Sequence, residues 1–293
     1  SDRIVTLIDS RNILNKKDFI KDKIKRNSGT MFWPEAVQAF LDISEREYFW
    51  LDMINNRQIG RTLEKNSYIY DGKLNTDDLL KFSEITSHII DFRSPFTATH
   101  SNGVAVLAEK MGSYLDFDIE ECKMLKIAGF VHDIGKLAVP VEILNKPGAL
   151  TNKEWDIMRS HSYYTFCVLD ESNELNTIKE WAAYHHERLR GNGYPFHLNE
   201  KDLNTGARIM AVVDIFTGIT EDRPYRKGMS KNQAQDILND MVKNNILDKR
   251  IVDILEGDYY SFDQLRIKSQ EKARQYFQNF KDLIEKKRED LQI

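Results

Sequence analysis

Cysteine, proline and long apolar runs are scarce in this sequence. Only two cysteines and six prolines occur in 293 residues, and the cysteines, Cys122 and Cys167, lie in apolar helical patterns. Two cysteines so placed do not indicate a disulfide framework, and they fit a reducing, cytoplasmic compartment. No run approaches the roughly 20 apolar residues that a membrane-spanning helix needs, so we expect no membrane segment in this chain.

An excess of charge of either sign is also lacking. The 42 basic and 46 acidic residues give a formal net charge of -4. This balance predicts no general affinity for nucleic acid polymers or anionic membranes, so a charged substrate would need a local cationic site. The hydrophobic share of 41% and the charged share of 30% are typical of a soluble globular protein with one or two domains.

Histidines and aspartates, in contrast, stand in short motifs. His132 and Asp133 are adjacent and are followed by Gly135 and Lys136. An adjacent imidazole and carboxylate can bind one cation, and the second carboxylate oxygen can bridge to a neighbouring metal. By itself, this pair can also arise by chance at a helix end. Lys136 is a compact charge suited to a phosphate oxygen, or else an ordinary surface lysine.

Three further elements follow in the chain. His185 and His186 precede a Gly-x-Gly-Tyr-Pro loop over residues 191–195, Asp214 interrupts an apolar helical pattern, and an Arg-Pro-Tyr-Arg segment occupies residues 223–226. A buried carboxylate is costly unless it is paired or metal-bound, which favours a ligand role for Asp214. The two arginines suit phosphate oxygens, with solvated loop arginines as the alternative. The glycine-rich loop is a ligand-shaping element or simply a rigid turn.

These four elements, in this order, resemble the HD-GYP family of bacterial phosphodiesterases, a branch of the HD metal-dependent phosphohydrolases. The resemblance extends from about Thr97 to Arg226. It implies an all-α fold, an HD-type helical bundle around a bimetallic centre, with amino-terminal helices and a long carboxy-terminal helix added. It also implies seven metal ligands: His100, His132, Asp133, His161, His185, His186 and Asp214. Without the resemblance, a lone histidine such as His161 is more often structural than a ligand.

We assign these residues to two metals. The first metal takes His100, His132 and Asp214, the second takes His161, His185 and His186, and Asp133 bridges them. Mixed nitrogen and oxygen ligands suit Fe, Mn, Zn or Ni rather than Mg, and the resemblance favours iron or manganese. Two metals about 3.5–4 Å apart can hold a hydroxide and clamp a phosphodiester. Asp133 and Lys136 are therefore the expected catalytic residues.

The resemblance also implies the substrate and the partners. The substrate would be a cyclic dinucleotide, most often cyclic di-GMP opened to linear pGpG and in some members further to GMP. Lys136, Arg223 and Arg226 would contact its phosphates, and Gly193, Tyr194 and Pro195 would shape its site. There are two alternatives. The protein could be a phosphodiesterase that prefers cyclic GMP-AMP, or a metal-binding interaction module with little catalysis. A diguanylate cyclase (GGDEF) partner and a homodimer are further expectations.

Three positions depart from the family pattern. Some members bind a third metal through a Glu one turn before the first histidine, where this chain has Phe96, so we expect two metals. Arg190 stands where Asp or Asn is frequent, and Thr217 stands where a second Asp is frequent. These changes bear on the preferred dinucleotide and the rate more than on metal binding.

We expect three parts along the chain: an amino-terminal helical region and linker over 1–75, a catalytic domain over 76–260, and a helix over 261–293. Pro34 marks a helix start in the first part. That part either packs on the domain body or is the remnant of an upstream HD-like domain. The last helix carries a narrow apolar stripe and either covers the amino-terminal helices or forms a dimer seam.

Local signals predict where several catalytic-domain helices begin. Asp118 and Thr151 each open a capping box, with Glu121 and Glu154 three residues later. A helix is expected from about 96 to 115, with His100 one turn before the apolar Val104 and therefore facing the interior.

Overall fold

The structure, a computed structural model, describes residues 13–46, 49–50, 75–92, 99–222 and 226–290. Regular structure in these ranges is helical, with isolated β-bridges and no strand, so the predicted all-α class is confirmed. The chain divides into two units, residues 1–73 and residues 74–293. Within the described ranges, no helix is both long and apolar enough to cross a membrane.

The first unit contains helices α1 (Ile13–Arg26) and α2 (Pro34–Ser44). Pro34 occupies the first turn of α2, as predicted, where its missing N–H costs no helical hydrogen bond. Ile20, Ile24, Val37 and Trp50 form a small buried cluster. The indole nitrogen of Trp50 donates to the carbonyl of Ser44 at 2.7 Å, which satisfies the buried polar atom of this side chain.

The second unit is a bundle of ten α-helices among its described residues. They are α3 (Thr76–Phe92), α4 (His100–Tyr114), α5 (Ile119–Val131), α6 (Val141–Leu144), α7 (Asn152–Leu169), α8 (Asn176–Ala183), α9 (Thr205–Thr220), α10 (Lys231–Lys243), α11 (Lys249–Gly257) and α12 (Tyr259–Asp290). A 3₁₀ turn, Ile134–Ala138, follows α5. Both predicted capping boxes are present, at Asp118 for α5 and at Thr151 for α7.

Helices α4, α5 and α9 form the centre of this bundle. The apolar residues that α4 presents at helical spacing, including Val104, Leu107 and Met111, are fully buried. A Cβ atom on Gly129 would lie 2.5 Å from the Cα of Ala105, so this glycine lets α5 pack closely against α4. Close packing of α4 and α5 places His100, at the start of α4, beside His132, directly after α5.

The long carboxy-terminal helix α12 begins at Tyr259, two residues before the predicted start at 261. Its first half packs against α4 and contributes buried residues that include Phe262, Arg266, Gln270 and Ala273. Phe280 and Ile284, farther along the predicted apolar stripe, are about two-fifths exposed. The first half of the apolar stripe of α12 thus covers the core of the second unit.

Candidate metal centre

Three helices and two segments that directly follow helices supply the seven residues that the sequence suggested as metal ligands. His100 is the first residue of α4, and His132 and Asp133 directly follow α5. His161 lies in the middle of α7, His185 and His186 lie in the turn after α8, and Asp214 lies in α9. The predicted helix 96–115 is therefore seen as His100–Tyr114. Phe96, at the position of the third metal's ligand in some relatives, lies outside the described residues.

The structure brings the seven side chains together. Two separate groups of three could each hold a cation: His100, His132 and Asp214 form one group, and His161, His185 and His186 form the other. Within each group the potential ligand atoms lie within 4.8 Å of one another. These two groups are the sets that we assigned to two metals from the sequence. A third possible group, His132, Asp133 and His185, shares one histidine with each of them.

Asp133 lies between the two groups and contacts each with a different oxygen. Its Oδ2 is 3.2 Å from Nε2 of His132, and its Oδ1 is 3.4 Å from Nε2 of His161. The Nζ of Lys136, one 3₁₀ turn later, forms an ion pair with the same Oδ2. A carboxylate in this position can bridge two cations.

Three of the histidines are oriented by backbone carbonyls. The Nδ1 atoms of His132, His161 and His185 lie 2.6–2.7 Å from the carbonyl oxygens of the residues three positions earlier, Gly129, Met158 and Ala182. A carbonyl only accepts, so each Nδ1 carries the proton and each Nε2 presents its lone pair toward the centre. This arrangement fixes the tautomer that a metal ligand requires.

His100 is held by carboxylates instead. Its Nδ1 is 3.2 Å from Oε2 of Glu221, and its Nε2 is 3.0 Å from Oδ1 of Asp214. Glu221 was not singled out in the sequence, because it belongs to no ligand motif and lies 121 positions from its partner. Burial disfavours the charged imidazolium, but the two carboxylates outweigh burial and raise the pKa of His100 to about 10.

The electrostatics of the centre favour metal-binding forms of the other side chains. Burial lowers the pKa values of His161 and His186, and it lowers the pKa of His185 to about 3, so these imidazoles are neutral at pH 7. Burial would raise the pKa of Asp133, but Lys136, His132 and His161 hold it well below its usual range. Neutral imidazoles and ionised carboxylates are the forms that coordinate cations.

One buried atom tests whether a cation fits here. Nε2 of His132 is buried and makes no hydrogen bond to any described residue, although Asp133 lies close to it. An unsatisfied buried nitrogen is costly, and a bound cation would remove that cost. Five imidazoles with two carboxylates also match the mixed donor sets of transition metals. The residues present therefore fit a metal centre.

The glycine-rich loop packs directly against the His185–His186 turn. A Cβ atom on Gly193 would lie 2.4 Å from the Cα of Glu187, so the two backbones touch. The Glu187 carboxylate accepts hydrogen bonds from the backbone N–H groups of Phe196 at 2.7 Å and Leu198 at 3.0 Å. The Tyr194 ring lies 4.8 Å from the His186 ring. The loop thus supports His186 as well as facing the centre.

Of the two arginines expected to contact the substrate phosphates, one lies within the described residues. Arg226 donates from Nη2 to the carbonyl of Gly218 at 2.7 Å, near the end of α9, whereas Arg223 lies outside the described residues. Arg159, which the sequence reading missed, lies over the Tyr194 ring at 5.5 Å. Arg190 is exposed and bonds to Asn192 within its own loop.

Comparison with known proteins identifies a family whose sequence model matches the chain. The sequence model of a family described as "HD domain" matches residues 84–251, more than half of the chain, and that span contains all seven candidate ligands.

Two groups of curated proteins are similar to the chain. A 3'3'-cGAMP-specific phosphodiesterase of Vibrio cholerae is 32% identical over 247 residues, which are 84% of this chain and 57% of that protein. A cyclic di-GMP phosphodiesterase of Pseudomonas aeruginosa is 37% identical over 140 residues, which are 47% of this chain and 34% of that protein. The chain therefore spans between a third and somewhat more than half of the length of these relatives.

Among solved structures, an HDG"Y"P protein of Bdellovibrio bacteriovorus aligns with 84% of this chain and 79% of its own. The TM-score of that alignment is 0.47 and the identity is 14%, which is too low a similarity to add to the site described above.

Proposed function

The chain belongs to the HD domain family and to its HD-GYP branch, and from this premise we propose that it is a metal-dependent phosphodiesterase acting on a cyclic dinucleotide. The leading substrate is cyclic di-GMP, opened to linear pGpG. The observation that carries the proposal is the position of Asp133, whose two oxygens contact a histidine of each three-residue group.

In this proposal, His100, His132 and Asp214 hold one divalent metal ion. His161, His185 and His186 hold the second, and Asp133 bridges them. When bound, two such ions supply a water-derived nucleophile at neutral pH and neutralise phosphoryl oxygens. Mixed nitrogen and oxygen donors suit iron, manganese, zinc or nickel rather than magnesium, and the resemblance to the HD-GYP family favours iron or manganese.

The protein's own contribution is to orient and neutralise the substrate. Lys136 Nζ is held beside Asp133, where its charge can stabilise the phosphate oxygens as negative charge builds up in the transition state. Arg226 and Arg223 bind the phosphates of the dinucleotide, which the net negative charge of the chain would otherwise repel. Gly193, Tyr194 and Pro195 shape the substrate site, with Tyr194 stacked near His186.

The second candidate substrate is 3'3'-cGAMP. It is favoured by the Vibrio cholerae relative, because the match to that protein covers more of this chain than the match to the Pseudomonas protein. Both substrates present the same phosphodiester chemistry to the centre, so only their bases separate them. A metal-binding interaction module with little catalysis is the remaining alternative.

Location and partners complete the proposal. We place the protein in the cytoplasm, where its free thiols Cys122 and Cys167 stay reduced. We also predict that a diguanylate cyclase (GGDEF) docks on the loop over 191–195. Formation of a homodimer is a second prediction.

The experiment is anaerobic turnover of cyclic di-GMP and 3'3'-cGAMP by protein loaded with Fe(II) or Mn(II), with bound metal counted in the same samples. We expect linear product at about two metals per chain. Asp133→Asn keeps the shape of the side chain but removes the bridging charge, so we expect product to fall by at least 10²-fold, on the order of the loss of one key electrostatic group.

The matched control is Asp156→Asn on α7, an exposed aspartate in the helix that carries His161. It should keep parent turnover and metal content. A parent fully loaded with two metals yet inert on both substrates would reject the enzyme and favour the interaction module. If only one of the two dinucleotides is hydrolysed, that dinucleotide is the substrate.

A further inference from the structure

A chain of buried polar side chains leads from the carboxy-terminal helix α12 to His100. Gln270 Nε2 donates to Oε2 of Glu221 at 3.0 Å, and the same oxygen is 3.2 Å from Nδ1 of His100. Arg266 in turn donates to Oε1 of Gln270 at 2.7 Å and is paired with Asp263 at 2.6 Å. Glu221, Gln270 and Arg266 are each at most 6% exposed.

The position of His100 explains why it needs a side-chain acceptor. His132, His161 and His185 each follow a helical turn, whose carbonyl three residues earlier accepts from Nδ1. His100 is the first residue of α4, so this helix offers no preceding turn. Glu221, which directly follows α9, supplies the acceptor from another part of the bundle.

The backbone leaves room for this contact at one glycine. Gly103 lies one turn after His100 on α4, and a Cβ atom there would be 3.1 Å from both Gln270 Nε2 and Thr217 Cγ2. The Thr217 hydroxyl is buried without a hydrogen-bond partner among the described residues, so it does not take over the role of Glu221. Gln270 can therefore approach α4 closely and donate to the same Glu221 oxygen that His100 contacts.

We infer that Glu221 is a positioning residue for the metal centre, and that Gln270 of α12 holds it in place. The carboxylate would fix the ring of His100 with Nε2 toward Asp214 and make that nitrogen a stronger ligand than a backbone carbonyl would. Burying a carboxylate is costly unless it is hydrogen-bonded, and the two donors from α4 and α12 offset that cost. The carboxy-terminal helix is thereby linked to one half of the centre.

This inference rests on the proposed metal centre, so the test reads metal binding directly. Metal-free protein is titrated with Mn²⁺ by calorimetry, which resolves two binding events if the two sites differ in affinity. Glu221→Gln keeps an oxygen that can accept from both donors but removes the charge. Gln270→Met keeps the shape but removes the donor.

We expect Glu221→Gln to weaken one of the two Mn²⁺ binding events by about tenfold or more, the size of effect typical for a lost outer-shell partner. Gln270→Met should weaken the same event by a smaller factor. The other event, at His161, His185 and His186, should stay at the parent affinity. Gln278→Met, an exposed glutamine two turns later on α12, is the matched control and should leave both events unchanged.

Two outcomes would overturn the inference. One is parent affinity at both sites in a folded Glu221→Gln protein, and the other is equal weakening of both sites, which would indicate a general structural role. A parent that binds no metal would instead reject the proposed function itself. Because Glu221→Gln and Gln270→Met alter different segments of the chain, a folding failure of one still leaves the other to test the inference.

Discussion

At the scale of single residues, the closest packing in the centre occurs at the glycine after His132 and Asp133. A Cβ atom on Gly135 would lie 1.9 Å from the carbonyl oxygen of His161 and 2.6 Å from the backbone nitrogen of Thr165. Both neighbours are backbone atoms of α7 and cannot rotate away. The Thr165 hydroxyl also joins the Gly135 N–H to the His132 carbonyl.

We therefore predict that Gly135→Ala separates α7 from the turn that carries Asp133. The free energy of unfolding should fall by at least about 3 kcal/mol, as for other severe overpacking, and metal binding should be lost. Urea denaturation and metal counting measure these effects. Gly257→Ala at the end of α11, where nothing lies within 4 Å, is the control and should be neutral or slightly stabilising. Parent stability in Gly135→Ala would contradict this packing.

The sequence could indicate most ligand candidates because they occur in pairs and short motifs. His132 and Asp133 are adjacent, and so are His185 and His186, so local order alone groups them. Glu221 and Arg159 could not be found in this way. Their partners, His100 and Tyr194, are far away in the chain, and only the folded bundle brings them together.

At the scale of structural elements, the glycine-rich loop depends on one carboxylate. Glu187 accepts from two backbone N–H groups just after the loop, those of Phe196 and Leu198, and is itself buried. We predict that Glu187→Ala costs about 2–3 kcal/mol of unfolding free energy, because two hydrogen bonds to a charged acceptor are lost. Hydrogen exchange should show faster exchange of the Phe196 and Leu198 amides.

The exposed Glu171→Ala is the control for this variant and should leave both measurements unchanged. If the two loop amides kept their protection in Glu187→Ala, the loop would be held by other contacts.

The capping box of α7 predicts a dependence on pH. Hydrogen bonds from Lys146 and from Thr151 lower the pKa of Glu154 from 4.5 to about 2. A group whose pKa is depressed on folding stabilises the protein above its unfolded pKa, and that contribution is lost as the pH falls toward the folded pKa. The window is therefore from about pH 4.5 down to about 2.

We predict that Glu154→Gln removes this part of the acid sensitivity. The difference in unfolding free energy between parent and variant should be constant above about pH 5.5 and should shrink as the pH falls below 4.5. Urea denaturation of both proteins from pH 6 to pH 3 measures it. A difference that grows toward low pH would reverse the sign and refute the assignment.

Element boundaries were predicted well where a cap marks them and less well elsewhere. Asp118 and Thr151 open α5 and α7 as expected. Helix α8 ends at Ala183, a boundary that the sequence did not indicate, and the turn that follows directs Nδ1 of His185 back to the carbonyl of Ala182. The rings that pack against His185, those of His132 and His161, come from other parts of the chain, so no local signal in the sequence shows where His185 must point.

At the scale of the whole molecule, the second unit contains all the described candidate ligands and its own core. Its fold class could be predicted because the motifs resemble those of an all-α family and because apolar residues also recur at helical spacing. The division of α12 into a buried first half and an exposed second half could not be predicted, because the sequence leaves open which helices pack against its apolar stripe. Packing against α4 decides this, and it also connects α12 to His100.

The same connectivity makes metal binding a property of the whole unit. Residues from α4, α5, α7, α9 and the turn after α8 meet at the centre, so a bound cation links five segments that unfolding separates. A ligand that binds only the folded state stabilises it by about 2.7 kcal/mol at a concentration 100 times its dissociation constant. For a unit of this size, that corresponds to a rise in melting temperature of roughly 5–11 °C.

We predict that chelation lowers the melting temperature by this amount and that Mn²⁺ restores it, as measured by calorimetry with and without excess EDTA. Asp133→Asn should show a much smaller difference between the two conditions, because the bridge between the two groups is weakened. Equal melting temperatures for the parent in EDTA and in saturating Mn²⁺ would mean that the seven side chains converge without binding metal. In that case His132 Nε2 would need another partner to offset its burial.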